Sequence, residues 1–81
     1  MSSEEQQSLL SRITSRPGMF NGRPVIRDMR FPVADILEML ASGMTIEDIL
    51  VQHPVLEADD IKAALLFGSL RINNKVHLNA A

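Results

Sequence analysis

Four arginines in a short stretch, with one lysine further along the chain, are the residues whose types and spacing best suit binding chemistry. Residues 17–33 read PGMFNGRPVIRDMRFPV and hold two glycines, three prolines and three arginines. A guanidinium group binds phosphate or carboxylate through two parallel hydrogen bonds, so these residues are candidates for contact with nucleic acid or an acidic partner. The alternative is that they are solvated or pair with carboxylates of this chain. The candidate contact residues are Arg16, Arg23, Arg27, Arg30 and Lys62.

Charge is strongly segregated along the sequence, although the formal net charge is only -2. Residues 10–31 hold five arginines and one aspartate, whereas residues 32–61 hold seven carboxylates and no lysine or arginine. Such segregation affects partners and association rather than fold. Two function hypotheses follow: the basic stretch contacts nucleic acid, or the acidic stretch docks a basic partner protein and nucleic acid is never bound.

The other polar residues form no catalytic constellation. The chain has no cysteine, which excludes disulfides, thiolate metal sites and thiol nucleophiles. Its two histidines, His53 and His77, stand alone, and we expect His53 to cap a helix rather than to catalyse. Asp59 and Asp60 are adjacent and would diverge on a helix. We therefore expect a binding protein, not an enzyme, with no metal and no cofactor.

The arginines fall on a predicted β-hairpin that spans about residues 24–33. Residues 25–27 and 30–33 have the composition of two short strands, and Asp28 and Met29 between them have the spacing of a tight turn. Pro32 closes the hairpin and suits the first turn of a following helix.

Three short amphipathic helices are predicted after the hairpin. Val33 begins a series of apolar residues at i, i+3, i+4 and i+7, and Gly43 is placed to end that helix. Thr45 and Asp48 have the spacing of a capping box at the start of the second helix. Gly68 is expected to interrupt or end the third. The predicted helices cover about residues 33–42, 46–53 and 58–68.

We expect an α+β fold, mainly α, in a single domain over residues 12–70. Residues 1–11 are predicted to be a flexible N-terminus and residues 71–81 a C-terminal tail, with a short strand at Val76 and Leu78 as an alternative for part of it. A core this small favours pairing with a second copy, so a homodimer is expected. No apolar run approaches the roughly 18 residues of a membrane span, and the N-terminus lacks the features of a secretory signal, so we expect a cytoplasmic protein.

The second and third predicted helices have the lengths, and the residues at their ends, that are typical of a helix-turn-helix. In an ordinary DNA-binding protein of this kind, the start of the last helix would face the bases. Here that start carries Glu57, Asp59 and Asp60, which phosphates repel, and Lys62 alone compensates little. If DNA is bound, the basic hairpin is the expected contact.

The same residues resemble a known family, domain of unknown function 433, over about residues 12–67. The matching segments are Ile13-Thr14, Pro17-Gly18, GRPVIR at 22–27, RFPV at 30–33, DILEMLASG at 35–43, Glu-Asp-Ile at 47–49, Pro54 and DIKAAL at 60–65. The family usually places Gly-Thr in the hairpin turn, where this chain has Asp28 and Met29. It also often continues helically where this chain reads GSLRINNKVHLNAA.

The resemblance implies a homeodomain-like helix-turn-helix preceded by a hairpin. Many members of the family are described as antitoxin-like proteins of the VapB type, some paired with a ribonuclease toxin of the PIN-like class. Such an antitoxin neutralises its toxin and represses its own operon by binding DNA. The resemblance thus implies a homodimeric regulatory protein with a PIN-like toxin and DNA as partners.

Overall fold

The computed structural model describes residues 1–75 and has the small, mainly helical α+β fold that the sequence predicts. Two short strands precede three helices, and one further helix precedes the strands. The elements are α1 (Ser3–Leu10), β1 (Ile13–Thr14), β2 (Val25–Ile26), α2 (Val33–Ala41), α3 (Ile46–Gln52) and α4 (Ala58–Lys75). A 3₁₀ turn at Phe20–Gly22 lies between the strands. Over the described residues, no helix combines the length and apolarity needed to cross a bilayer.

The predicted hairpin is present in a shorter form, and β2 has a second partner that the sequence did not predict. Pro32 lies opposite Val25 in an antiparallel bridge. The N–H of Ile26 donates to the C=O of Phe31, and the N–H of Val33 donates to the C=O of Pro24, both at 3.0 Å. Residues 24–26 and 31–33 therefore pair as predicted, but over too few residues for a regular strand ladder. On its other side β2 pairs with β1, antiparallel, with Ile13 opposite Ile26.

The turn after β2 lies one residue earlier than predicted. The N–H of Met29 donates to the C=O of Ile26 at 2.8 Å, so the central residues are Arg27 and Asp28. Their φ angles are +45° and +58°, both left-handed, as in the tight turns that suit hairpins. Aspartate tolerates this conformation, but a left-handed arginine costs about 1 kcal/mol or more. Arg27 must therefore be held in place by contacts outside the turn.

The start of α3 and the end of α2 are confirmed. The Oγ1 of Thr45 accepts from the N–H of Asp48 at 3.0 Å, and the Oδ2 of Asp48 accepts from the N–H of Thr45 at 2.9 Å. This is the predicted capping box. Gly43 follows α2 with a φ of +101°, which a glycine adopts without strain. These two helices end within one residue of their predicted boundaries.

The core joins β2 to the last three helices. Its buried side chains are aliphatic and come from every one of these elements. They are Ile26, Val33, Ile36, Ile49, Leu56, Ile61 and Ala64. Phe31 and Phe67 pack against this cluster but stay partly exposed. The hairpin is thus anchored on the helices by the fully buried Ile26, with Met29 and Phe31 packed against the same cluster.

Residues 1–11, predicted as a flexible N-terminus, instead begin with α1. The Oγ of Ser2 accepts from the N–H of Glu5 at 3.1 Å and caps this helix, and Glu4 and Glu5 lie in its first turn, where the helix dipole favours carboxylates. The helix packs against α4. Its apolar residues, Leu9 and Leu10, come only at its end, so no helical period was visible in the sequence.

The last helix, α4, is longer than predicted because Gly68 does not end it. A Cβ atom at Gly68 would lie 3.3 Å from the Cδ1 of Leu37, so this glycine allows α2 to approach α4 closely. The helix runs through the first part of the predicted tail, to Lys75. Residues 76–81, which include the strand suggested for Val76 and Leu78, lie outside the described residues.

Candidate functional site

The carboxylate of Asp60 is the centre of a polar cluster between the hairpin turn and the start of α4. Its side chain is fully buried. It accepts hydrogen bonds from the Nε and Nη2 of Arg27 at 3.1 and 2.8 Å, from the Nη1 of Arg12 at 3.0 Å, and from the backbone N–H of Glu57 at 2.8 Å. Four donors satisfy both carboxylate oxygens, as a buried charge requires.

The environment of Asp60 keeps it ionised. Burial by itself raises the pKa of this carboxyl, but the hydrogen bonds from Arg27, the backbone of Glu57 and Arg12 outweigh it. The net result is a pKa below the ordinary value for aspartate. The carboxylate therefore holds its charge at neutral pH and fixes the two guanidinium groups around it.

Arg27 and Arg12 are both committed to internal contacts. Besides its two bonds to Asp60, Arg27 donates from Nη2 to the C=O of Val55 at 2.8 Å. The Nη1 of Arg12 also lies 2.7 Å from the Oε1 of Glu57. Arg27 thus makes the pairing with an acidic helix that the sequence left open as an alternative. These contacts supply the external restraint that its left-handed backbone needs.

Arg16 pairs within the hairpin rather than with a helix. Its Nε and Nη2 donate to the two carboxylate oxygens of Asp28 at 2.9 and 2.8 Å. The hydrogen bond from Arg16 lowers the pKa of Asp28 to about 2. Because both side chains are well exposed, the pair contributes little to stability. It does reduce the positive charge that Arg16 presents to solvent.

The other three candidate residues lie apart from this cluster and from one another. Arg23, Arg30 and Lys62 each line a different cavity. Within the part of the chain that the structure describes, none of the three has a carboxylate oxygen within salt-bridge distance. The five predicted contact residues therefore do not form one basic surface, and the unpaired charges are spread over three sites.

An apolar groove with basic edges lies between the hairpin, α2 and α4, and we call it the arginine groove. Its lining includes Arg23, Pro24, Leu37, Phe67, Arg71 and Ile72. Its cavity volume is about 330 Å³, and two further cavities, of about 270 and 240 Å³, adjoin it because Phe67 and Arg71 line all three. No acidic residue is found among the described residues that line these cavities.

The arrangement of Arg71 ties its charge to the groove. Its guanidinium carbon lies 5.2 Å from the centroid of the Phe67 ring, within the range of a cation–π contact. Ile72 beside it is 59% exposed, which leaves an apolar rim open to solvent. The groove can therefore accept apolar side chains on its floor and carboxylates at its edges.

A separate cavity, of about 420 Å³, lies on the other flank of α2. Arg30 lines it together with Asp35, Glu38, Phe31 and His53. The rings of Phe31 and His53 meet edge to face with their centroids 5.1 Å apart. His53 also follows α3 directly as its C-terminal cap residue, where the sequence placed it. No group of His, Cys, Asp or Glu side chains within residues 1–75 has an arrangement that could hold a metal ion.

Three residues that organise these surfaces were not among the sequence candidates. Asp60 was interpreted as an exposed residue at a helix start, and Arg12 was counted only in the local charge. Arg71 was assigned to the tail. No local signal marks Asp60 as buried, because its burial depends on the packing of α4 against a hairpin far away in sequence. Arg71 would have been found had the third helix been extended through Gly68.

Comparison with known proteins identifies relatives of the hairpin and helices. The family model described as "Protein of unknown function (DUF433)" matches residues 13–67. Among curated proteins, "Uncharacterized protein y4eO" of Sinorhizobium fredii is 36% identical over 55 residues, which make up 68% of this chain and 25% of that protein. The chain thus spans about a quarter of the length of the curated relative it matches.

A solved structure has the same fold. It is the crystal structure of a DUF433 member protein from Anabaena variabilis, with a TM-score of 0.71 and 23% sequence identity. The similarity covers 91% of this chain and 80% of that one. The family match begins at Ile13 and ends at Phe67, so Arg12 and Arg71 lie outside it.

Proposed function

This chain belongs to the DUF433 family, and we propose that it is a regulatory protein of the antitoxin type that acts by binding as a homodimer rather than by catalysis. The observation that supports a binding role is the arginine groove. Its floor is apolar, it continues into two neighbouring cavities, and its rim is exposed. A contiguous exposed apolar surface on a small protein is typical of a protein–protein contact.

We propose a ribonuclease toxin of the PIN-like class as the protein partner. The support for this class is the family resemblance, carried above all by the GRPVIR motif at residues 22–27. The experiment is co-expression of this chain with the product of the adjacent gene, followed by size-exclusion chromatography with light scattering. Co-elution in a fixed ratio, with loss of ribonuclease activity, supports the proposal. Separate elution of the two proteins contradicts it.

A second candidate function is DNA binding through the hairpin. The observation that favours it is that Arg23 and Arg30 make no ion pair within the described residues and stay available for phosphate. Recognition by the start of α4 is disfavoured, because Arg27 and Arg12 are engaged there and the exposed carboxylates of Glu57 and Asp59 repel phosphate.

A gel-shift series with the chain's own upstream DNA tests this second function. Affinity should fall steeply as salt increases, and Arg23→Ala and Arg30→Ala should each weaken binding and reduce the salt slope by about one. Arg16→Ala is the matched control, since it removes the same charge from an arginine already paired with Asp28. No shift at low salt would exclude DNA binding.

A further inference from the structure

A patch on and after α3 has the chemistry that the arginine groove lacks. Val51 is 80% exposed and Val55 is 59% exposed, and neither packs against the core cluster. Glu47 lies four residues before Val51 and therefore one turn away on the same face of the helix. Asp48, next to it, is also exposed. We call Glu47, Asp48, Val51 and Val55 the acidic valine patch.

Glu47 has its charge free for a contact outside the chain. Among the side chains that the structure describes, which end at residue 73, no lysine or arginine nitrogen lies within 4.0 Å of its carboxylate. Asp48, in contrast, is held by the backbone N–H of Thr45 in the capping box. An exposed valine beside a carboxylate fits a groove with an apolar floor and arginine edges, because the valine can pack on the floor and the carboxylate can pair with an arginine.

We propose that the arginine groove of one copy of this chain receives the acidic valine patch of a second copy. Val51 and Val55 would lie on the floor formed by Leu37 and Phe67 and against the rim at Ile72. Glu47 would pair with Arg71 or Arg23 at the edge. The contact buries two exposed apolar surfaces and brings opposite charges together. Each copy carries both the arginine groove and the acidic valine patch.

The pairing deepens the proposed function by naming the surfaces of its homodimer. Because each copy has one groove and one patch, two such contacts related by a two-fold axis give a closed dimer, and a head-to-tail arrangement gives a ring or chain.

Reversing one charge on each side tests the contact. Wild type, Arg71→Glu and Glu47→Lys are measured separately by light scattering over a concentration series, after circular dichroism has shown that each is folded. Wild type should associate, and each variant alone should have an apparent dissociation constant raised at least about tenfold, because like charges then meet at the edge. An equimolar mixture of the two variants should regain association, since every groove in a mixed pair faces a patch of opposite charge.

The matched controls carry the same charge changes outside the two surfaces. Lys62→Glu reverses a lysine that makes no ion pair among the described residues and lines a cavity beside α1, and Glu4→Lys reverses a glutamate in the first turn of α1. Both should associate like wild type. The inference is overturned if wild type is monomeric, if the mixture does not regain association, or if the controls weaken association as much as the paired variants do.

The outcomes separate this inference from the proposed function. A monomeric wild type that still binds the product of the adjacent gene overturns the pairing and leaves the binding role intact. A self-associating chain that binds no such product supports the pairing and contradicts the antitoxin role.

Discussion

Arg27 and Asp60 join the hairpin turn to the start of α4 through two hydrogen bonds, of 3.1 and 2.8 Å, between a left-handed arginine and a fully buried carboxylate. The contact links residues 33 positions apart in sequence. It explains how an arginine stays in a backbone conformation that side chains rarely adopt. It also neutralises a partly exposed charge for which the sequence left both partner contact and pairing within the chain open.

Replacement of Asp60 should destabilise the protein strongly. Asp60→Asn leaves Arg27 and Arg12, whose side chains are 34% and 26% exposed, beside a neutral amide. It should lower the free energy of unfolding by about 1–3 kcal/mol, the usual cost of losing hydrogen bonds to a charged group, which is less than for a pair buried on both sides. Urea denaturation followed by circular dichroism measures it. Asp59→Asn is the control, because Asp59 is 54% exposed and lies 3.8 Å from Arg12, and it should change stability by no more than about 0.5 kcal/mol. Equal effects of the two substitutions would show that the Asp60 cluster does not stabilise the fold.

Stability should fall in acid chiefly because of the buried Asp60, with smaller effects from the exposed Asp28 and Asp48, since all three have a lowered pKa in the folded chain. The folded pKa of Asp60 lies below its ordinary value, and that of Asp28 is about 2, so the unfolded chain binds more protons than the folded one as the pH falls. The stabilising contribution is therefore complete above the unfolded pKa of about 3.9 and is lost progressively below it, toward pH 2. Thermal unfolding from pH 6 to 2 measures the loss, and Asp60→Asn should flatten it. A wild-type profile no steeper than that of the variant would contradict this assignment.

The close approach of α2 and α4 should make Gly68 intolerant of large side chains. Gly68→Leu adds atoms where a Cβ already lies 3.3 Å from Leu37, and should cost about 1–3 kcal/mol through overpacking. Gly18→Leu is the matched control, since nothing lies within 4 Å of a Cβ at that position. Thermal denaturation compares the two. If Gly68→Leu were as stable as the control, the groove floor would be more open than the structure has it.

The fold was largely predictable because its signals are local. The apolar series from Val33, the capping box of Thr45 and Asp48, and the stop at Gly43 each depend on residues within one or two turns. These features placed α2 and α3 within one residue. The pairing of residues 25–26 with residues 31–32 was predictable because it is local, whereas their pairing with β1 was not, because a two-residue strand at Ile13 and Thr14 carries no strand period.

The candidate site was less predictable because it depends on contacts between distant residues. Arginines in a row suggest a basic surface, but whether each one faces solvent depends on which carboxylates the fold brings to it. Arg27 meets Asp60 and Arg16 meets Asp28, while Arg23 has no such partner in the described structure. Gly68 was predicted to end the third helix for a similar reason. Glycine is typical both of helix ends and of close contacts between helices, and the sequence does not tell these two roles apart.

The most direct test of the central claim is the mass of the complex formed when this chain is co-expressed with the product of the adjacent gene. The binding role predicts a single species in light scattering that contains both proteins in a fixed ratio. Its mass should account for two copies of this chain, and the complex should lack ribonuclease activity. Elution of the two proteins as separate species, with this chain at its monomer mass, would contradict both the antitoxin role and the dimer.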